Sequence, residues 1–145
     1  MKIGITGTRY SITEYQYNNV KTNLEYLINQ HPDSEFHHGD CVGADEKIAE
    51  LAQSLGYKTI AYPSVGEELR AFHPSDLILE PDTNFARNRA IVQAVDLLFV
   101  VPFQMYHQNR GGTWYTHDYA EKIGRTKLMF YPKPLNTESH DLGCF

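Results

Sequence analysis

Asp96-Leu97-Leu98-Phe99-Val100-Val101-Pro102 is the stretch on which the fold turns. Five consecutive apolar residues, most of them β-branched or aromatic, sit between an acidic residue and a proline. A run of this kind has no polar side to show to water, so it reads as a strand buried on both faces, at the centre of a sheet. Working outward, Ile3 to Thr6 repeats the signal on a smaller scale and stops at Gly7, and Glu35 to His38 is a second short strand. Tyr57 to Tyr62 alternates until Pro63, and Lys127 to Tyr131 supplies a last strand. Between these strands the apolar spacing changes to that of helices. Tyr17, Val20, Leu24, Leu27 and Ile28 mark a helix over Thr13 to Gln30; Ile48, Leu51, Ala52 and Leu55 mark one over Lys47 to Leu55, closed by Gly56. Further helices are expected over Asn84 to Ala94 and Trp114 to Ile123, and the proline-punctuated segment from Ser64 to Thr83 reads as a long loop.

Alternation of strand and helix throughout implies right-handed crossovers and an α/β fold. The expected architecture is a Rossmann-like, mostly parallel sheet of about five strands with helices on both faces. With 145 residues the chain suits one domain, taken as residues 1–132 followed by a C-terminal tail at 133–145. The formal net charge of -5 opposes binding to extended nucleic acid. Cys41 and Cys144 lie in unlike surroundings and suggest no disulfide framework, and no signal peptide or membrane-spanning run is seen. A cytoplasmic protein without a membrane partner is expected. An aromatic fraction of 12% exceeds what a small core needs and, with the resemblance given below, favours a homodimer.

In parallel sheets of this type ligands bind beyond the carboxyl ends of the strands, so the loops there were read for chemistry. In the first, Gly7 lets the backbone approach a ligand while Thr8 and Arg9 can hold a phosphate; an ordinary turn with a solvated arginine is the alternative. The second, His38-Gly39-Asp40-Cys41-Val42-Gly43-Ala44-Asp45, hands a strand over to a helix through two glycines, which leaves backbone N–H groups free to face an anion. Asp45 reads either as the helix N-cap or as an acceptor for ribose hydroxyls. His37, His38 and Cys41 invite a metal reading, but no second ligand pair accompanies them, and neither a metal nor a cofactor is expected. In the third element, Phe85-Ala86-Arg87-Asn88-Arg89, the two arginines cannot point the same way and one should face the sheet edge; the alternative is that both lie on a solvated surface. Arg110-Gly111-Gly112-Thr113-Trp114-Tyr115-Thr116 is the most informative loop, with adjacent glycines and hydroxyls opening a helix; it matches neither the Walker ending nor the dinucleotide fingerprint.

Together these loops resemble the SLOG superfamily, the Rossmann-like group that includes the LOG phosphoribohydrolases, DprA and the YpsA-like and YspA-like proteins. The resemblance spans roughly residues 2 to 131 and rests on Gly4-Ile5-Thr6-Gly7-Thr8-Arg9, on the Gly39 to Asp45 turn with Ala49, on Arg87 ahead of Asp96, and on Arg110 to Thr113. It implies a nucleotide or nucleotide-derived phosphorylated ribose ligand, held by Gly7, Thr8, Arg9, Gly39, Asp40, Gly43, Ala44, Asp45, Arg87, Arg110, Gly111, Gly112, Thr113 and Thr116. By analogy with the LOG enzymes it also implies N-glycosidic cleavage of a nucleoside monophosphate or NAD-related ligand. In that chemistry Arg87 would orient the ribose phosphate, and an acid at Asp118 would stabilise the oxocarbenium-like sugar or activate water. Phe103 to Asn109 is an insertion relative to the LOG pattern, and Trp114 stands where that pattern has glycine.

Overall fold

A computed structural model describes residues 1–135; most of the expected tail, 136–145, and with it Cys144, lies outside the described residues. The elements run β1 (Lys2–Gly7), α1 (Glu14–Gln30), β2 (Glu35–His38), α2 (Ala44–Ser54), β3 (Lys58–Ala61), β4 (Leu77–Ile78), α3 (Asn84–Ala94), β5 (Leu97–Val101), α4 (Gly112–Lys122) and β6 (Thr126–Met129). One sheet of six strands, ordered β4-β3-β2-β1-β5-β6, is parallel at every pairing. The extra strand relative to the expected five is β4, which emerges from the supposed loop at 64–83 and caps the sheet beside β3. Only two residues long and exposed, it carries no periodic signal that a sequence reading could find.

Strand β5 is fully buried, as its composition requires, and pairs β1 on one side and β6 on the other. It lies one strand off the middle of the sheet, because burial on both faces demands only an interior place. Its residues alternate between two cores. Leu97, Phe99 and Val101 join Ile3, Ile5 and Phe36 under α1 and α2, while Leu98 and Val100 join Ile60, Ile91, Val92 and Val95 under α3. The chain crosses from one face to the other between β1 and β5, so the strand order reverses there and the loops after the two strands diverge to leave a crevice.

Two local devices fix how the loops leave the sheet. Helix α1 begins with a reciprocal cap, in which the Thr13 hydroxyl accepts from Gln16 N and the Gln16 side chain accepts from Thr13 N. The buried Gln16 amide also donates to Pro102 O at 2.7 Å and to Phe130 O at 2.9 Å, tying α1 to the ends of β5 and β6. At the other end of α2, Gly56 takes φ +99° and closes the helix as expected. Among the described residues no helix is long and apolar enough to cross a membrane.

Replacing Gln16 with leucine keeps the volume but strands two buried carbonyls and the Thr13 amide. Unfolding in urea should show Gln16→Leu destabilised by about 3 kcal/mol. A loss under about 1 kcal/mol would mean that water reaches these groups.

Candidate functional site

The crevice at the carboxyl edge of β1 and β5 is a cleft of about 510 Å³, within the range of small-molecule sites. Its floor is apolar, with Ile5 and Ile91, and its walls are the loops singled out above. Gly7, Thr8, Arg9, Gly39, Asp45, Arg87, Arg110, Gly111, Gly112 and Thr113 all line it. Four residues expected at the ligand do not, and each has a physical reason.

Asp40 turns its carboxylate away from the cleft, accepting from Arg70 Nε at 2.8 Å and from His73 N at 2.9 Å, so it anchors the long connection at 64–83. Gly43 has φ +91°, and a Cβ there would lie 2.4 Å from Thr8 O; its role is to let the second loop pack against the first. Ala44 is fully buried, donates N–H to Thr8 O at 2.8 Å, and sits so close that a Cβ on Gly7 would meet its own Cβ at 2.5 Å. Thr116 is buried as well, its hydroxyl donating back to Gly112 O at 2.7 Å.

Arg87 organises the cleft. The residue is 6% exposed, and its guanidinium donates to Gly39 O, to Tyr62 O at 3.1 Å and, from Nε, to Asn88 Oδ1 at 2.6 Å, with Cys41 Sγ at 3.7 Å from Nη2. Gly39 is a glycine because a Cβ would lie 2.7 Å from Arg87 Nη1 and 2.9 Å from Asp45 Oδ2. The other arginine of that helix, Arg89, points elsewhere and donates to the Tyr115 hydroxyl at 2.8 Å. Asp45 is not the N-cap of α2, a place taken by Gly43. Instead its Oδ2 accepts from Gly39 N at 2.8 Å and Cys41 N at 3.4 Å, which folds the turn around the carboxylate. Burial pushes this carboxyl up to about 6, against the pull of Arg87 and the two amides. Burial also raises the Cys41 thiol to about 11, so it lines the cleft as a neutral group.

Three arginines, Arg9, Arg87 and Arg110, reach the cleft, and among the described residues none of them forms an ion pair. Two helices also begin there: α4 is preceded by Gly111 at φ +94° and α3 by Thr83, and neither N-terminus receives a side-chain cap. Their first-turn N–H groups therefore add to the positive potential. Aromatic rings stand around the opening, with exposed Tyr10 and Phe103 at 5.1 Å between centroids and exposed Phe85 against half-buried Tyr115 at 4.3 Å. Tyr10, Asn84, Asn88, Phe103, Gln104 and Trp114 line the cleft without having been singled out as ligand contacts. Phe85 and Asn88 flank Arg87 and could have been inferred from it; Tyr10 and Gln104 depend on how loops meet.

Asp118, expected as the acid, does not line the cleft. It is exposed on α4, where its Oδ1 accepts from His107 Nε2 and from His117 Nδ1, each at 2.8 Å. Slight desolvation pushes its carboxyl up, but these two hydrogen bonds prevail and hold it below the usual carboxylate range. His37 and His38 are engaged within the protein. His37 contacts Tyr62 Oη and Glu35, and His38 contacts Ser75 Oγ and Asp40 N, with burial lowering His38 to about 4.

No family model matches the chain, and no curated protein matches its sequence. Solved structures do. The molybdenum cofactor binding protein of the phototrophic bacterium Rippkaea orientalis superposes with a TM-score of 0.69 at 19% identity, covering 99% of this chain and 83% of that one. DNA processing protein A from Helicobacter pylori, described for its single-stranded DNA binding mode, gives 0.63 at 22% identity over 99% of this chain and 73% of its own. The molybdenum cofactor carrier protein of Chlamydomonas reinhardtii gives 0.63 at 18% identity, over 98% and 85%. At these identities the likeness is one of fold alone, and the fold of this chain is an α/β Rossmann-like one.

Proposed function

We propose that the protein binds a nucleotide or nucleotide-derived phosphorylated ribose ligand in this cleft, to sense or sequester it. The observation that carries the reading is the convergence of Arg9, Arg87 and Arg110, without carboxylate partners among the described residues, on two uncapped helix N-termini. In a chain of net charge -5 such a concentration of positive potential has a phosphate as its natural complement. The exposed rings of Tyr10, Phe103 and Phe85 offer stacking faces for a heteroaromatic base. Two proteins of the same fold are described as binding or carrying the molybdenum cofactor, which agrees with small-molecule binding on this fold.

Arg87 is too deeply tied to the fold for a clean test, so the exposed arginines serve better. Arg9→Ala and Arg110→Ala should each weaken binding of nucleoside 5′-monophosphates by about 1.5 to 3 kcal/mol, as for a lost charge-assisted hydrogen bond, with unchanged urea midpoints. Gly112 has a negative φ and only Asn88 Nδ2 near its Cβ direction, at 3.5 Å, so Gly112→Leu should fold and fill the cleft, abolishing binding. Calorimetric titration against a panel of nucleotides, together with native mass spectrometry and molybdenum analysis of the purified protein, reads both the affinity and the ligand class. Full affinity in all three variants would place the site elsewhere.

A second reading, cleavage of the N-glycosidic bond, is favoured by one feature: the cleft holds a carboxyl whose affinity for protons is raised by burial, Asp45. If cleavage occurs, Asp45→Asn should remove most release of free base from a nucleoside monophosphate while binding persists. The same substitution has a stability signature. Folding raises Asp45 to about 6 from an unfolded value of 3.8, so the folded state keeps a proton that the unfolded chain has released. The contribution of this group to stability therefore falls as pH rises from about 4 to about 6 and is level above that. Relative to the parent, Asp45→Asn should gain about 2 to 3 kcal/mol across that window in denaturant melts.

A further inference from the structure

The insertion at Phe103 to Asn109 and the first turns of α4 bring His107, His117 and Asp118 together, with one ligand atom from each lying within 4.8 Å of the others. From this juxtaposition we infer a binding site for a divalent transition-metal ion of the zinc type, on the outer face of the cleft wall.

The donor set is two imidazoles and one carboxylate, which suits borderline cations such as Zn²⁺, Co²⁺, Ni²⁺ and Cu²⁺ and disfavours Mg²⁺ and Ca²⁺, whose ligands are oxygens. His107 Nε2 and His117 Nδ1 already point at the same oxygen, Asp118 Oδ1, each at 2.8 Å. Bonds of about 2.1 Å in a tetrahedral site set donor atoms roughly 3.3 Å apart. The two nitrogen–oxygen spacings need to open by only about half an ångström from their present 2.8 Å, which the exposed side chains of His107 and Asp118 can supply, and the two nitrogens lie within 4.8 Å of each other. In the metal-free protein the two N–H groups donate to the carboxylate. In the metal-bound form those nitrogens present lone pairs to the ion and water completes the coordination.

The rings are held for this purpose by Trp114. Its indole lies 5.2 Å from the His107 ring and 5.3 Å from the His117 ring between centroids, and its Nε1 donates to Gln104 Oε1 at 2.9 Å. Trp114 is 3% exposed and also lines the cleft. An ion joining His107 to α4 therefore clamps the inserted loop against the helix, and that loop places Phe103 and Gln104 in the cleft wall and leads directly to Arg110. The metal site is independent of the identity of the cleft ligand.

Trp114 is the only tryptophan, so its fluorescence reports this site. Tag-free protein treated with chelator and dialysed should show saturable quenching of Trp114 by Co²⁺ or Cu²⁺ at one equivalent, reversed by Zn²⁺ competition for Co²⁺ and by EDTA. His107→Ala, His117→Ala and Asp118→Asn should each weaken binding at least tenfold, while the distant exposed His31→Ala leaves it unchanged. Circular dichroism checks that the variants fold. Quenching that does not saturate, that Mg²⁺ abolishes as readily as Zn²⁺, or that persists equally in all three ligand variants would overturn the site. Loss of metal binding with unaltered nucleotide binding, or the reverse, separates this inference from the function proposed above.

Discussion

A buried guanidinium governs the working edge of this molecule. Arg87 reaches from α3 beneath the strand ends and donates to the carbonyl oxygens of Gly39, after β2, and Tyr62, after β3. Both bonds are buried, and removing the guanidinium would leave the two acceptors unpaired at a cost of about 1 to 3 kcal/mol each. The charge itself is not neutralised by an ion pair among the described residues, since Asp45 feels it only at longer range. A buried charge left in this state is expensive unless the site is meant to receive one of opposite sign. The atoms that hold the edge together are thus the ones on which the proposed anionic ligand would draw.

Glycines make that arrangement possible by letting backbone and guanidinium occupy space that side chains would take. Gly39 admits the Arg87 head group, Gly7 admits Ala44, and Gly43 admits the first loop. The three contacts bring the ends of β1 and β2 and the start of α2 into one layer, with N–H groups and arginines facing the crevice. Electrostatics then act locally. An overall negative charge opposes polyanions at long range, whereas the arginines of the cleft would act on the proposed small anion within a Debye length of about 8 to 10 Å.

The wall opposite these tight contacts is built differently. The inserted loop after β5 meets α4 chiefly through side chains: Gln104 with Trp114, His107 with Asp118, and the ring contacts of Trp114 with His107 and His117. Hydrogen bonds among exposed groups contribute little each.

Sequence alone determined the architecture, because burial on both faces of Leu97 to Val101 and the alternation of periods 2 and 3.6 admit few other folds. It also determined which loops meet, since parallel strands must send their carboxyl-end loops to one edge; ten of the expected ligand residues line the cleft for that reason. Two-residue β4 was invisible for want of any period. Tertiary structure decided where each side chain in those loops points. Asp40 belongs to Arg70, Asp45 to the amides of its own turn, and Asp118 to two histidines, and no local pattern distinguishes an acid that faces a ligand from one that faces a partner thirty residues away. Periodicity records which face of an element is buried. Partnership in a loop depends on distances across the fold, and those exist only once the sheet has brought the chain together.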